Sequence, residues 1–365
     1  MASENHNYLS EQIITYIGNK RALIAEIALT FDYVCQQLGQ DRLRFLDLFS
    51  GSGIVSRLAK QYSSHIIAND LEKYSYLTNL CYLSNDSPAL FSKLDPVLRG
   101  LRKDIEQSLA PGFLTELYAP RDESRIESSD RVFYTRRNAI YLDTACLAIA
   151  KLAPELQPYF IAPLLAQASV HVNTAGVFKG FYKNQAGVGQ YGGNGKHALT
   201  RILKNIELVL PIFSKFQTSF EVVQRDANDL VREVDSLDFA YFDPPYNQHP
   251  YGSNYFMLNL IGDYQRPLKV SAVSGIPTDW NRSCYNRRQM AGQVLFDSIA
   301  QCPAKFILVS YNSEGFIDFN QFRKSLSQLG RLHYMDRRYN TYRGCRNLSA
   351  RTKHLSEYLF LLDKR

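Results

Sequence analysis

The chain has 365 residues, and 45% of them are hydrophobic, so it is long enough for one large globular domain or two smaller ones. The formal net charge of +7 permits a polyanionic partner without requiring one. No two of the six cysteines form a CxxC pair, so we expect neither a metal site nor a disulfide framework. Residues 1–12 are polar and no apolar run is long enough for a bilayer, which predicts a cytoplasmic protein without membrane contact.

The first clear pattern along the chain is that of an α/β unit. Residues 44–49 (RFLDLF) are typical of a buried strand and lead into a glycine-rich turn. Residues 54–62 have a helical pattern, and residues 65–68 predict a second strand that ends at Asn69 and Asp70. Strand, glycine turn, helix, strand and acidic residue together indicate the opening of a doubly wound α/β sheet.

The strand pattern then stops and later resumes. Residues 71–211 are typical of helices and loops, with seven glycines between residues 170 and 196. Further strands are predicted at residues 220–223, 238–242, 305–310, 331–335 and 357–362, the last two as a closing hairpin. We therefore predict one Rossmann-like sheet, formed by residues 1–74 and 212–365. A largely helical insert, residues 75–211, interrupts it and has the size of a domain.

The glycine turn, Phe49-Ser50-Gly51-Ser52-Gly53, lies between a strand and a helix. Glycine lets the backbone approach a ligand, and the N-terminus of the following helix offers free N–H groups. Asp70, at the end of the next strand, can accept hydrogen bonds from the hydroxyls of a ribose. NAD enzymes share this layout. Here, however, Ser56 replaces the third glycine of G-x-G-x-x-G, which weakens the dinucleotide interpretation.

A second motif, Asp243-Pro244-Pro245-Tyr246, directly follows the strand at residues 238–242. The prolines fix the backbone at the strand's carboxyl end, where such sheets bind ligands. The Asp243 carboxylate and the Pro244 carbonyl can both accept hydrogen bonds from an NH₂ group, and Tyr246 supplies a ring for stacking. Two fixed acceptors stabilise positive charge that grows on an aromatic amine when it is methylated. Neither a metal nor a covalent intermediate is needed.

Taken together, the two motifs resemble those of the adenine-N6 DNA methyltransferases of the Dam and FokI-methylase type. In that family F-x-G-x-G precedes a target-recognition insert, and D-P-P-Y follows it. The resemblance implies a Rossmann-like methyltransferase sheet and S-adenosylmethionine as the methyl donor. It extends to residues 15–20 (TYIGNK) at one end and to residues 310–315 (SYNSEG) at the other.

The same resemblance implies roles for single residues. Tyr16 and Lys20 would contact the methionine part of the cofactor, Asp70 its ribose, and Asp226 its adenine amino group. Phe49, Gly51 and Gly53 would form the turn beside it. The catalytic set would be Asp243, Pro244, Pro245 and Tyr246.

DNA binding is predicted from basic and aromatic segments. A target base inside a duplex must be flipped out to reach the cofactor, and residues 247–255 are predicted to fold over it. Residues 331–354 hold seven Lys or Arg residues against one acid, as expected of a hairpin that follows phosphates. The residues predicted to contact double-stranded DNA are Lys196, Arg282, Arg287, Arg338, Arg343 and Arg346.

Three alternatives remain open at this stage. One is an amino-methyltransferase for cytosine N4, RNA or a glutamine side chain. Cytosine enzymes usually carry Ser, and glutamine enzymes Asn, at the position of Asp243. The second is a catalytically inactive DNA-binding relative, and the third is an NAD oxidoreductase. For an adenine methylase, the resemblance implies either a cognate restriction endonuclease that acts separately or an orphan enzyme.

Overall fold

The computed structural model describes residues 4–340 and 354–365. Its seven strands form one sheet, and this confirms the predicted α/β class. The strands are β1 (Leu43–Asp47), β2 (Ser63–Asn69), β3 (Ser219–Val223), β4 (Leu237–Phe242), β5 (Ala304–Asn312), β6 (Arg331–Asn340) and β7 (His354–Asp363).

Fourteen α-helices are assigned within the described residues, and two 3₁₀ turns cover Lys20–Leu23 and Cys284–Asn286. The helices are α1 (His6–Ser10), α2 (Ile24–Leu38), α3 (Ile54–Ala59), α4 (Lys73–Tyr82), α5 (Pro88–Gln107), α6 (Phe113–Tyr118), α7 (Arg136–Ile149), α8 (Pro158–Val170), α9 (Leu199–Leu203), α10 (Ala227–Glu233), α11 (Tyr251–Asn254), α12 (Phe256–Asp263), α13 (Arg288–Gln301) and α14 (Phe319–Leu326). None of them has the length and apolar character needed to cross a membrane.

The sheet order is β3-β2-β1-β4-β5-β7-β6. The first five of these strands are parallel, whereas β7 is antiparallel to both β5 and β6. From β1 the chain builds outward through β2 and β3, and from β4 it builds the other way through β5. The strand order therefore reverses between β1 and β4, and the carboxyl ends of these two strands are where ligands bind in open α/β sheets.

Alternating side chains of the strands pack on both faces of the sheet. In β4, Phe239 and Tyr241 pack with α2 and α3, while Ala240 and Phe242 pack with α10, α13 and α14. This period of two, with both faces buried, explains the near-continuous apolar pattern of the strand.

Two predicted boundaries differ from the structure at the glycine turn. The first strand ends at Asp47 and not at Phe49, because the chain leaves the sheet to form the turn; the Leu48 N–H still donates to the Tyr241 carbonyl at 3.0 Å. The helix after the turn ends at Ala59, three residues before its predicted end.

The segment predicted as an insert is helical, but it shares its apolar core with other parts of the chain. One cluster of buried side chains joins Phe160 of α8 to Ile14 near the N-terminus and to Phe256 of α12, which follows β4. The division into residues 1–74 with 212–365 and residues 75–211 stays a prediction.

Candidate active site

The glycine turn between β1 and α3 adopts a backbone that requires glycine. Gly51 has φ of 50° and Gly53 has φ of 74°, both in the left-handed region. A Cβ at Gly51 would lie 3.1 Å from the ring of Tyr16, and one at Gly53 would lie 2.6 Å from the amide oxygen of Asn79. The turn therefore closely approaches Tyr16 of the N-terminal motif.

Asp70, which follows β2, is hydrogen-bonded to the glycine turn. Its carboxylate accepts hydrogen bonds from the Gly51 N–H at 2.7 Å and from the Glu72 N–H at 2.9 Å. Burial raises the pKa of Asp70, and these backbone donors oppose that rise. Asp226 caps the N-terminus of α10 and accepts from the Asn228 N–H at 2.8 Å.

A cleft opens at the point where the strand order reverses. Eight of the predicted site residues line it: Tyr16, Lys20, Phe49, Gly51, Asp70, Asp226, Asp243 and Pro245. Three others, Gly53, Pro244 and Tyr246, are not among its lining residues. Three segments spread over more than 200 residues of the chain thus meet at one cleft: the N-terminal segment, the glycine turn and the Asp-Pro-Pro-Tyr motif.

Asp47, the last residue of β1, also lines the cleft and was missed by the sequence reasoning. Its Oδ2 accepts from the Ser56 hydroxyl at 2.6 Å, while its buried Oδ1 has no hydrogen-bond partner within residues 4–340 and 354–365. Burial raises the pKa of Asp47 to about 7. Its position two residues before Phe49, inside an apolar strand, is the signal that could have identified it.

Asp243 and Lys20 form an ion pair in the wall of the cleft. Lys20 Nζ lies 2.9 Å from Asp243 Oδ1, and the lysine side chain is only 6% exposed. Burial raises the pKa of Asp243 to about 6, although the Lys20 ammonium lowers it and the Glu357 carboxylate raises it further. Burial disfavours the charged Lys20, but the two carboxylates outweigh that and hold the pKa of Lys20 above its ordinary value.

Glu357 of β7 is a further unpredicted acid, and it contacts the ion pair of Lys20. Its carboxylate lies 2.9 Å from Lys20 Nζ and accepts from the hydroxyl of Ser310 at 2.7 Å and the side-chain amide of Asn312 at 3.1 Å. Burial raises the pKa of Glu357, but these donors outweigh it and leave the pKa below its usual value. A glutamate within the apolar run of β7 was the available signal. The structure thus joins residues 310–315 to the ion pair through Glu357.

Aromatic rings connect the N-terminal motif to the segment after Tyr246. The ring of Tyr16 stacks on Tyr251, with centroids 5.1 Å apart, and on Tyr255, at 4.8 Å. Residues 247–255, predicted as a loop, contain the short helix α11, which packs on the N-terminal segment through this stack. The Tyr246 ring contacts Tyr311 edge-on, and its carbonyl accepts from the Phe316 N–H at 3.0 Å.

The residues predicted to bind DNA lie on the surface wherever the structure describes them. Arg282, Arg287, Arg338 and Lys196 are exposed. Arg282 lies over the ring of Trp280, 4.2 Å from its centroid, and follows Asn281, which lines the cleft. Arg343 and Arg346 lie outside the described residues. The two strands of the predicted basic hairpin are β6 and β7, and they pair with each other as predicted.

Residues 16–273, which hold the glycine turn, Asp70 and the Asp-Pro-Pro-Tyr motif, match the model of the D12 class N6 adenine-specific DNA methyltransferases. The chain belongs to this family. The predicted enzyme class, an adenine-specific DNA methyltransferase, is therefore confirmed over the cytosine, RNA, glutamine and NAD alternatives.

Curated relatives match the methyltransferase over most of its length. It is 28% identical to the type II methyltransferase M.NlaIII of Neisseria lactamica, over 96% of this chain and 99% of that protein. It is also 28% identical to the type II methyltransferase M.CviAII of Paramecium bursaria Chlorella virus 1, over 96% and 98%. The type II methyltransferase M.FokI of Planomicrobium okeanokoites is 26% identical over 96% of this chain, which spans 52% of that larger protein.

Proposed function

We propose that the chain binds S-adenosylmethionine in the cleft between β1 and β4 and methylates N6 of an adenine flipped out of double-stranded DNA. One observation carries the proposal: the Asp243 carboxylate faces the same cleft as the glycine turn and Asp70. An acceptor for an amino group and a nucleoside-binding turn serve one reaction only if they share a cavity.

The residues of the cleft fit this cofactor. Its sulfonium and ammonium groups are cationic, and the buried Oδ1 of Asp47 is an acceptor that lacks a partner within the described residues. Asp70 and Asp226 offer further carboxylate oxygens, and the rings of Phe49 and Tyr285 add apolar surface. We assign the ribose to Asp70, the adenine amino group to Asp226, and the methionine part to Tyr16 and to the alkyl chain of Lys20, since the Lys20 ammonium contacts Gly18, Asp243 and Glu357. Gly51 and Gly53 keep the turn open beside it.

The acceptor base is held by the Asp-Pro-Pro-Tyr motif. The Asp243 carboxylate and the Pro244 carbonyl accept the two N–H groups of adenine N6, while Pro245 fixes the loop and Tyr246 stacks on the base. These acceptors stabilise the charge that develops on nitrogen and hold it in line for attack. When bound, the cofactor supplies the methyl carbon, whose bond to sulfur breaks as the nitrogen lone pair forms the new bond.

Methylation leaves one proton in excess on the amino nitrogen. The pKa of Asp243 is about 6, so its carboxylate is mostly ionised at neutral pH and can accept this proton before passing it to water. The restriction-modification setting is part of the proposal, because relatives carry names such as type II methyltransferase and modification methylase. A cognate endonuclease that acts separately is therefore the partner to look for.

The direct test is to incubate the protein with methyl-labelled S-adenosylmethionine and duplex DNA of mixed sequence. Nuclease digestion and mass spectrometry then identify the modified base, and sequencing identifies its flanking bases. We expect N6-methyladenine within one short sequence. Label on cytosine, or on RNA supplied as a competitor, would contradict the proposed acceptor.

Asp70→Asn is expected to weaken cofactor binding by about 10- to 100-fold, since a hydrogen bond to a charged group contributes roughly 1.5–3 kcal/mol. The amide oxygen can still accept from the Gly51 N–H, so the turn should survive, although the Glu72 N–H loses its acceptor. Calorimetric titration with S-adenosylmethionine measures the effect, and Asp104→Asn on the exposed surface of α5 is the control. An unchanged Kd would remove Asp70 from the cofactor site.

Removing basic side chains is expected to lower DNA affinity and its dependence on salt. Each lost phosphate contact should reduce the slope of log K against log salt by about 0.9. The variants are Arg287→Ala, Arg338→Ala and the double Arg343→Ala/Arg346→Ala. Fluorescence anisotropy across a salt series measures the slope, and Arg99→Ala, an exposed arginine paired with Asp95 on α5, is the control. A slope equal to that of the wild type would exclude the residue from the interface.

A further inference from the structure

Glu357 lies at the same edge of the sheet as the catalytic motif, although it comes from the last ten residues of the fold. In the antiparallel pairing of β5 and β7, Glu357 is directly opposite Asn312, the final residue of β5. Because β5 runs parallel to β4, its carboxyl end lies beside the end of β4 that leads to Asp243. The Glu357 side chain is 4% exposed, so a charged group has been buried here.

The three N–H donors of the Lys20 ammonium match three acceptors of the structure. Its nitrogen lies 3.0 Å from the Gly18 carbonyl oxygen, 2.9 Å from Asp243 Oδ1 and 2.9 Å from Glu357 Oε1. A lysine ammonium has only these three donors. In the described part of the chain no donor reaches Asp243 Oδ2.

We propose that Glu357 is a positioning residue for methyl transfer. It holds the Lys20 ammonium so that a single N–H contacts Asp243, which leaves Oδ2 of that carboxylate to the amino group of the base. The proposal rests on the role of Asp243 given above. Ser310 and Asn312, which donate to the two oxygens of Glu357, keep it in place.

Loss of the Glu357 charge weakens the bond between residue 357 and one Lys20 donor, and it changes the charge balance at Asp243. That N–H can then turn to Asp243 Oδ2 and compete with the substrate amine. The other titratable groups that act on the Asp243 site come from several elements: Tyr241 of β4, Tyr246 of the motif, Tyr251 of α11 and Asp47 of β1. None of these is a cation. Within the described site, Lys20 is therefore the neighbouring charge with the largest effect on the pKa of Asp243.

The two neighbours of Asp243 therefore have opposite effects on its titration. The negative charge of Glu357 raises the pKa of Asp243, and the positive charge of Lys20 lowers it. Removal of the Glu357 charge should lower that pKa, so that Asp243 stays ionised to a lower pH. The expected variant is slower than the wild type and yet more tolerant of acid, a combination that a packing defect does not produce.

The test is Glu357→Gln in the full-length protein, with kcat and KM measured from pH 5 to pH 8. We expect kcat to fall about 10- to 100-fold, as for a misplaced catalytic group, with KM for DNA and cofactor nearly unchanged. The acid limb of the kcat profile should move to lower pH. Asp363→Asn, at the other end of β7 and paired with Arg365, is the matched control and should behave as the wild type.

A second variant, Glu357→Asp, keeps the charge and should retain the acid limb of the wild type with a smaller loss of kcat. The proposal is overturned if Glu357→Gln has normal kcat, or if both variants lose activity with an unshifted acid limb, which would indicate a structural role. Failure of the underlying mechanism gives a different result. In that case Asp243→Ala itself remains active, whatever the Glu357 variants do.

Discussion

Asp243→Ala is expected to lower kcat by at least about 10²–10³-fold, the loss found when one preorganised electrostatic partner is removed from a transition state. In the proposed mechanism, the variant removes both an acceptor for the amino group and the site for its excess proton. Binding of S-adenosylmethionine should stay close to that of the wild type, because Asp47, Asp70 and Asp226 remain. Single-turnover methylation of duplex DNA measures the rate of methyl transfer, and calorimetry measures the binding of S-adenosylmethionine.

The variant should fold, because Lys20 keeps its contact with Glu357, 2.9 Å away. The matched control is Asp238→Ala, which removes an aspartate within β4, the strand that leads to Asp243. Asp238 bonds to the Arg44 N–H and pairs with Lys305 at the opposite end of the strand. That variant should lose some stability but little kcat. Retained turnover in Asp243→Ala would rule out the proposed mechanism.

Lys20→Met is expected to lower the free energy of unfolding by about 3–5 kcal/mol near pH 8, the usual cost of leaving a buried charge without its partner. Here two carboxylates lose their shared cation, and they are only 20% and 4% exposed. Activity should fall as well, since the pKa of Asp243 rises when the lysine is removed. Urea unfolding monitored by circular dichroism across a pH series measures the effect.

The pH dependence of this loss of stability follows from the direction in which the pKa of Asp243 changes. Burial already raises the pKa of Asp243 from 3.8 to about 6, and removal of Lys20 raises it further. A carboxyl group whose pKa is raised in the folded state stabilises the protein below its unfolded pKa, and this contribution is lost as pH rises through the folded value. The destabilisation of Lys20→Met should therefore be greatest above pH 7 and shrink as pH falls towards 4.

Lys305→Met is the control for this experiment. It breaks the pair of Lys305 with Asp238, at 2.8 Å, in which the lysine side chain is 41% exposed. Exposed pairs contribute about 0–1 kcal/mol, so this variant should lose little stability at any pH. Equal losses in the two variants, or a loss in Lys20→Met that is independent of pH, would contradict the assigned role of Lys20.

The sequence by itself determined the α/β class, the strands of the sheet, the order of the motifs and the enzyme class. Strands β1 and β4 are recognisable because both faces are buried, which produces short apolar runs, and the glycine turn and Asp-Pro-Pro-Tyr follow them directly. Such signals are local: they depend on backbone geometry within a few residues.

Only the tertiary structure decided which charges meet. Lys20, Asp243 and Glu357 are separated by more than 100 residues at each step, and the ion pairs among them exist because the sheet order places β7 beside β5 at the carboxyl ends of the parallel strands. The unpaired oxygen of Asp47 was equally hidden, because burial depends on everything that packs around a residue and not on its neighbours in sequence. An acid inside an apolar strand, such as Glu357 in β7, marks a buried charge in the sequence. Which cation it meets is a property of the sheet topology, so the pairing itself could not be recognised before folding.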